Sequence, residues 1–144
     1  MPFKITGLDH VVLRVKNPQA MLHFYCRILG CTLERELDDL GLIQLRAGAS
    51  LIDLVPTDKP LGQKGGGEPL PNHANMDHLC LRIEPFDEQA LLHHLRGHGI
   101  EAEAAAVRYG ADGFGPSIYV PDPEGNIVEL KGPPSSPAQG NHPA

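Results

Sequence analysis

The heptapeptide Asp9-His10-Val11-Val12-Leu13-Arg14-Val15 returns 68 positions later as Asp77-His78-Leu79-Cys80-Leu81-Arg82-Ile83. Both copies place apolar residues at every second position and are rich in β-branched or aliphatic side chains, the pattern of a strand with one face on a core. Alternate side chains of a strand share a face. Val11, Leu13 and Val15 therefore point one way and His10, Val12 and Arg14 the other. Leu79, Leu81 and Ile83 oppose His78, Cys80 and Arg82 in the same manner. A chain that spells one strand twice is constrained to build one local structure twice.

The segments after each copy repeat in the same order. Asn17 and Pro18 form a helix start, as N-cap and first helical residue, and Gly30 a stop. Between them Met21, Leu22, Phe24, Tyr25, Ile28 and Leu29 recur at helical spacing. Strands are expected over 31–37, 41–47 and 50–55. In the second half a helix is expected over 87–98, then strands over 100–107, 117–120 and 126–131, with the glycines at 110, 113 and 115 in a loop and Pro121-Asp122-Pro123-Glu124-Gly125-Asn126 as a turn. The expected class is α+β: a β-α-β-β-β module over residues 1–56, a Gly/Pro-rich linker over 57–75, a second module over 76–131 and a disordered tail over 132–144.

The 144 residues carry a net charge of −6 with no Lys/Arg run, which argues against a nucleic-acid surface. No apolar run approaches the roughly 18–20 residues of a membrane span, and the start lacks the apolar stretch of a secretory signal. Cys26, Cys31 and Cys80 have no paired spacing and read as small hydrophobes in a reducing compartment. A cytoplasmic location is the expectation.

The closing strands of the two halves carry the chemistry. Asp53 follows turn residue Gly48 and precedes Leu54; Glu129 follows Gly125 and precedes Leu130. Each half thus supplies a histidine from its first strand and a carboxylate from its last, both off the core face. Neutral imidazole nitrogens and anionic oxygens are ligands for first-row divalent metals, and a metal supplies the charge that an inward carboxylate needs. The alternative is structural, with Asp53 paired to Arg46 and Glu129 to Arg82. His93, His94 and His98 read as a solvated helix end, His73 as part of the linker and His142 as part of the tail.

Several motifs carry a resemblance. Gly7-Leu8-Asp9-His10-Val11, Met76-Asp77-His78-Leu79, His23-Phe24-Tyr25-Cys26-Arg27-Ile28-Leu29-Gly30 and Tyr119-Val120-Pro121-Asp122-Pro123-Glu124-Gly125-Asn126-Ile127-Val128-Glu129-Leu130 together resemble the vicinal oxygen chelate superfamily of glyoxalase I, bleomycin and fosfomycin resistance proteins and extradiol dioxygenases. The resemblance implies paired modules whose curved sheets enclose a metal cavity, with one divalent ion (Ni, Zn, Co, Mn or Fe) per site. It implies metal ligands at His10, His78 and Glu129, with Asp53 at the fourth, glyoxalase-type position, where a Glu is usual. It also implies a homodimer with modules paired across the interface.

For the reaction, the resemblance implies a glyoxalase-like isomerase or lyase acting on a small hemithioacetal-like or enediol-forming substrate. Glu129, Asp53 and Tyr119 are then the catalytic candidates, and Gln44, Arg46, Arg82 and Tyr119 the substrate-binding ones, with Arg108 and Tyr109 on the adjoining loop. Arginines there point to an anionic or oxygen-rich ligand. The alternatives are an extradiol ring-cleavage dioxygenase, whose signature Tyr119 fits but whose acid-base histidine is replaced by Gly110-Ala111-Asp112-Gly113, a fosfomycin-modifying enzyme, or a bleomycin-type binding protein.

Overall fold

The computed structural model describes residues 1–135. The chain forms two compact units, one over Met1–Ala74 and one beginning at Asn75. In the first unit the strands are β1 (His10–Val15), β2 (Thr32–Leu37), β3 (Leu42–Ala47) and β4 (Ser50–Pro56). They lie in the order β1-β4-β3-β2, with β1 parallel to β4 and the other pairs antiparallel. The last strand in sequence is thus next to the first, which puts Asp53 beside the strand that carries His10.

Helix α1 (Pro18–Leu22) opens as its sequence dictates, with Asn17 accepting a hydrogen bond from the Ala20 N–H. The expected single helix to Gly30 instead widens into a π-helical turn over His23–Ile28. Met21, Phe24, Tyr25 and Ile28 are buried there, and Phe24 and Tyr25 meet edge to face at 4.9 Å. With Leu13, Val15, Leu45, Ile52 and Leu54 they form the core of this unit. Each such side chain contributes about 1.5–3 kcal/mol on burial. The linker is shorter than expected, because Pro60–Gln63 forms a turn of helix, α2.

The second unit contains β5 (His78–Arg82), α3 (Glu88–Gly97), β6 (Ala106–Gly110), β7 (Gly113–Pro121) and β8 (Ile127–Lys131). Its sheet order, β5-β8-β7-β6 with β5 parallel to β8, repeats the first. Asp87 caps α3 by accepting from the Ala90 N–H.

Three expectations shift here. The strand expected over 100–107 begins at Ala106, because the Ala105 N–H donates to Glu88 Oε1 rather than to a neighbouring strand. The expected glycine loop is a hairpin closed by Ala111-Asp112, with Gly110 opposite Gly113. Gly115 lies within β7, where a side chain would come within 2.7 Å of the Pro133 carbonyl oxygen. The tail expected from residue 132 starts as ordered chain: the Gly132 N–H donates to the Pro116 oxygen and the Ser135 N–H to the Phe114 oxygen. Residues 136–144, including His142, lie outside the described residues.

No helix among the described residues is long and apolar enough to cross a membrane. All three cysteines are free. Burial pushes the Cys31 thiol up to about 11. Its neutral form contributes stability in full below the ordinary thiol value and loses that contribution as pH rises through about 11. In native protein at pH 8, iodoacetamide is expected to label exposed Cys80 well before Cys31, as mass spectrometry of timed aliquots would read. Equal labelling rates would contradict the burial.

Candidate functional site

Parallel pairing sets the site in each unit. His10 stands beside Leu51 and Val12 beside Asp53; His78 stands beside Ile127 and Cys80 beside Glu129. Neighbouring residues of paired strands share a face, so each histidine and its carboxylate sit on the same face, two positions apart along the central strand. The third strand completes the pattern, with Gln44 opposite Asp53 and Tyr119 opposite Glu129. Gln44 and Tyr119 are therefore equivalent positions of the repeat.

The side chains meet accordingly. His78 Nε2 lies 3.1 Å from Glu129 Oε1, and His10 Nε2 lies 4.0 Å from Asp53 Oδ2. The missing methylene of Asp53 accounts for the wider gap. Gln44 Nε2 donates to both Asp53 oxygens at 3.2 and 3.3 Å, and Arg35 donates to Gln44 Oε1 at 2.8 Å. Asp53 is 4% and Glu129 6% exposed, so both carboxylates have lost most of their water.

Aspartates missing from the sequence-derived site set orient the rings. Asp9 holds His10 Nδ1 and Asp77 holds His78 Nδ1, each at 2.6 Å. With Nδ1–H donated to a carboxylate, Nε2 presents its lone pair, the arrangement that directs a ligating imidazole. The Asp9 hydrogen bond raises His10 above the ordinary imidazole value, with burial opposing it. The available signal was the Asp immediately before His in both copies.

Around Glu129 the wall is aromatic. The Tyr119 ring meets the His78 ring edge to face at 5.3 Å, and the Arg108 guanidinium lies 4.4 Å from the Tyr119 centroid. Burial, followed by the Glu129 charge, raises the Tyr119 phenol above its ordinary value, with Arg108 opposing. The hydroxyl is a proton-bearing hydrogen-bond donor at neutral pH.

The arginines that the structural alternative paired with the carboxylates go elsewhere. Arg46 donates to both oxygens of Glu34 at 3.0 and 3.1 Å, lowering the carboxyl of Glu34. Arg82 donates from Nε to Asp112 at 2.5 Å. The pairings Asp53–Arg46 and Glu129–Arg82 do not form, and these arginines are not directed at the histidine–carboxylate pairs. Lys131 is buried and donates to the carbonyls of Arg108 and Gly115, a tie within the sheet. The rings of His94, in α3, and His98, just past its end, lie 5.0 Å apart.

Among the described residues no group of three or more His, Cys, Asp or Glu gathers to hold a metal ion. The donors stand as one pair in each unit. Their donor types suit a divalent ion even so: in each unit a partly exposed imidazole Nε2 faces the oxygen of a buried carboxylate.

Comparisons with known proteins agree with this architecture. The Glyoxalase/Bleomycin resistance protein/Dioxygenase superfamily matches residues 7–130. A glyoxalase domain-containing protein, RDO1, of Mycosarcoma maydis is 30% identical over 131 residues, which cover 88% of this chain and 68% of that protein. Among solved structures, a virulence protein of Salmonella typhimurium superposes with a TM-score of 0.71 at 25% identity, covering 91% of this chain and 99% of that one. A lactoylglutathione lyase of Agrobacterium tumefaciens shares the fold, with a TM-score of 0.63 at 18% identity and coverage of 89% and 94%. With the family matched across nearly the whole repeat, the chain belongs to the glyoxalase/bleomycin resistance protein/dioxygenase superfamily.

Proposed function

We propose that this protein is a divalent-metal-dependent, glyoxalase-like isomerase or lyase acting on a small substrate with vicinal oxygens. The observation that carries the proposal is the repeated pair: in both units an aspartate-oriented histidine presents Nε2 to a buried carboxylate. In this reading the metal ligands are His10, His78 and Glu129, with Asp53 as the fourth donor.

When bound, a Ni, Zn, Co, Mn or Fe ion supplies Lewis acidity toward two adjacent substrate oxygens. The protein's own groups move the proton. Glu129, aligned on its strand beside Tyr119, takes a proton from one substrate carbon and returns it to the neighbouring carbon, leaving the composition unchanged. The Tyr119 hydroxyl donates a hydrogen bond to developing oxyanion charge. Asp9 and Asp77 keep the two imidazoles in one tautomer throughout. The position of Tyr119 against His78 also favours a second reading, ring-cleavage dioxygenation, for which bound iron and oxygen uptake with catechols are the signature. We place the protein in the cytoplasm, which three free cysteines support.

Metal analysis and chelator-dependent melting test the proposal: a metal-free wild type, or His78→Ala with wild-type metal content, would end it. A complementation assay tests the shared centre. If modules of two chains pair in a homodimer, mixed His10→Ala and His78→Ala proteins should recover about a quarter of the wild-type turnover of methylglyoxal with glutathione, since half of the dimers are mixed and each holds one intact site. Two inactive variants that stay inactive after mixing would place the donors within one chain.

A further inference from the structure

Arg108 differs from the other arginines around these sites in how its donors are used. Arg46 and Arg82 are engaged by Glu34 and Asp112, Arg14 donates to the carbonyls of Gly62 and Gly66, and Arg35 donates to Gln44. Arg108 uses Nη1 alone, donating to the Ser117 carbonyl at 2.7 Å and to the Ser117 hydroxyl at 2.9 Å. Ser117 is fully buried, so the anchor is rigid. The guanidinium carbon lies over the Tyr119 ring, 4.4 Å from its centroid. Two hydrogen bonds and the ring beneath hold the guanidinium in place, yet Nε–H and Nη2 have no acceptor among the described residues. Those two nitrogens form the side-on fork that receives a carboxylate in two parallel hydrogen bonds.

The register places this fork at the site. Arg108 faces Gly115 on β7, on the sheet face that also carries Ser117, Tyr119, Glu129 and His78. It stands one aromatic ring away from His78. We propose that Arg108 is a specificity-determining residue and that the substrate bears a carboxylate-class anion, remote from its vicinal oxygens, which the free Nε/Nη2 edge of Arg108 receives. This rests on the vicinal-oxygen reading of the site and adds the substrate class to it. The arginine is held in place before binding, so little side-chain entropy is lost when the anion arrives.

The test uses two inert probes on Zn²⁺-loaded protein: catechol, which offers vicinal oxygens alone, and 3,4-dihydroxybenzoate, which adds a carboxylate across the ring. Calorimetric titration should find dihydroxybenzoate about tenfold tighter than catechol. Arg108→Gln should remove that preference and leave catechol affinity unchanged, so catechol serves as the check that the site is intact. Arg108→Lys, which keeps the charge and loses the fork, should retain only part of the preference. Equal affinities for the wild type, or a preference that survives in Arg108→Gln, would overturn the inference. Binding of dihydroxybenzoate through Arg108 without any catechol binding would support the anion site and overturn the vicinal-oxygen reading; binding of neither probe would overturn both.

Discussion

Glu129→Gln is expected to lower metal-dependent turnover of the methylglyoxal–glutathione hemithioacetal by at least about 100-fold, with metal affinity falling by a similar factor. The substitution keeps the volume of a side chain that is 6% exposed, so packing on the central strand is preserved. What changes is the charge facing His78 Nε2 across 3.1 Å. A neutral amide is a poor metal ligand and cannot accept a proton from carbon. Metal-free melting should stay within a few degrees of wild type, because removing a buried charge also removes its desolvation cost. Asp53→Asn provides the contrast. Asp53 stands 4.0 Å from its histidine and is held by Gln44, so its loss should cost less than about tenfold. Metal titration with turnover on both variants decides the matter. A Glu129→Gln protein within threefold of wild type would remove Glu129 from the chemistry, and equal losses at both positions would make Asp53 as strong a donor as Glu129.

The two pairs were legible because a strand has a short period and the repeat spells it twice. His10 and His78 fall off the core face by alternation alone, and Asp53 and Glu129 follow from matching the last strands. Partners fixed by non-local geometry were not legible. Glu34 captures Arg46 because the β2–β3 register slips between Leu33 and Arg35. Asp112 captures Arg82 because the glycines around it close a hairpin instead of a loop. Gly115 serves the close passage of residue 133, a contact with no local signature. The widening of the helix at His23 was equally hidden, since α and π turns bury much the same apolar residues over so short a span. Arg108 was marked only as a nearby cation; that two of its three nitrogens lack an acceptor among the described residues emerges from its bonds to Ser117 and its place over Tyr119.

Asp122→Ala should destabilise the second unit by about 2–3 kcal/mol, the loss expected when part-buried N–H groups are stripped of a carboxylate acceptor. Asp122 is 4% exposed. Its Oδ1 accepts the backbone N–H groups of Glu124 at 2.8 Å and Asn126 at 3.0 Å, and its Oδ2 accepts from the Asn126 side chain at 2.8 Å. Gly125 completes the turn at φ +85, a conformation open to glycine. Alanine would leave two part-buried N–H groups without their acceptor. Asp122→Asn retains one acceptor oxygen and should cost about 1 kcal/mol. The turn matters to the site because it sets where β8 starts: Pro121 pairs with Ile127, and Glu129 follows two residues later. A slip of one residue would turn Glu129 to the core face. Denaturant melts of both variants, with amide exchange followed at Glu124 and Asn126, check this. Faster exchange at those two amides and the order wild type, Asn, Ala in stability are expected. An alanine variant as stable as wild type would show that the turn holds without its carboxylate, and an asparagine variant as unstable as alanine would show that charge, rather than the number of acceptors, fixes the strand that carries Glu129.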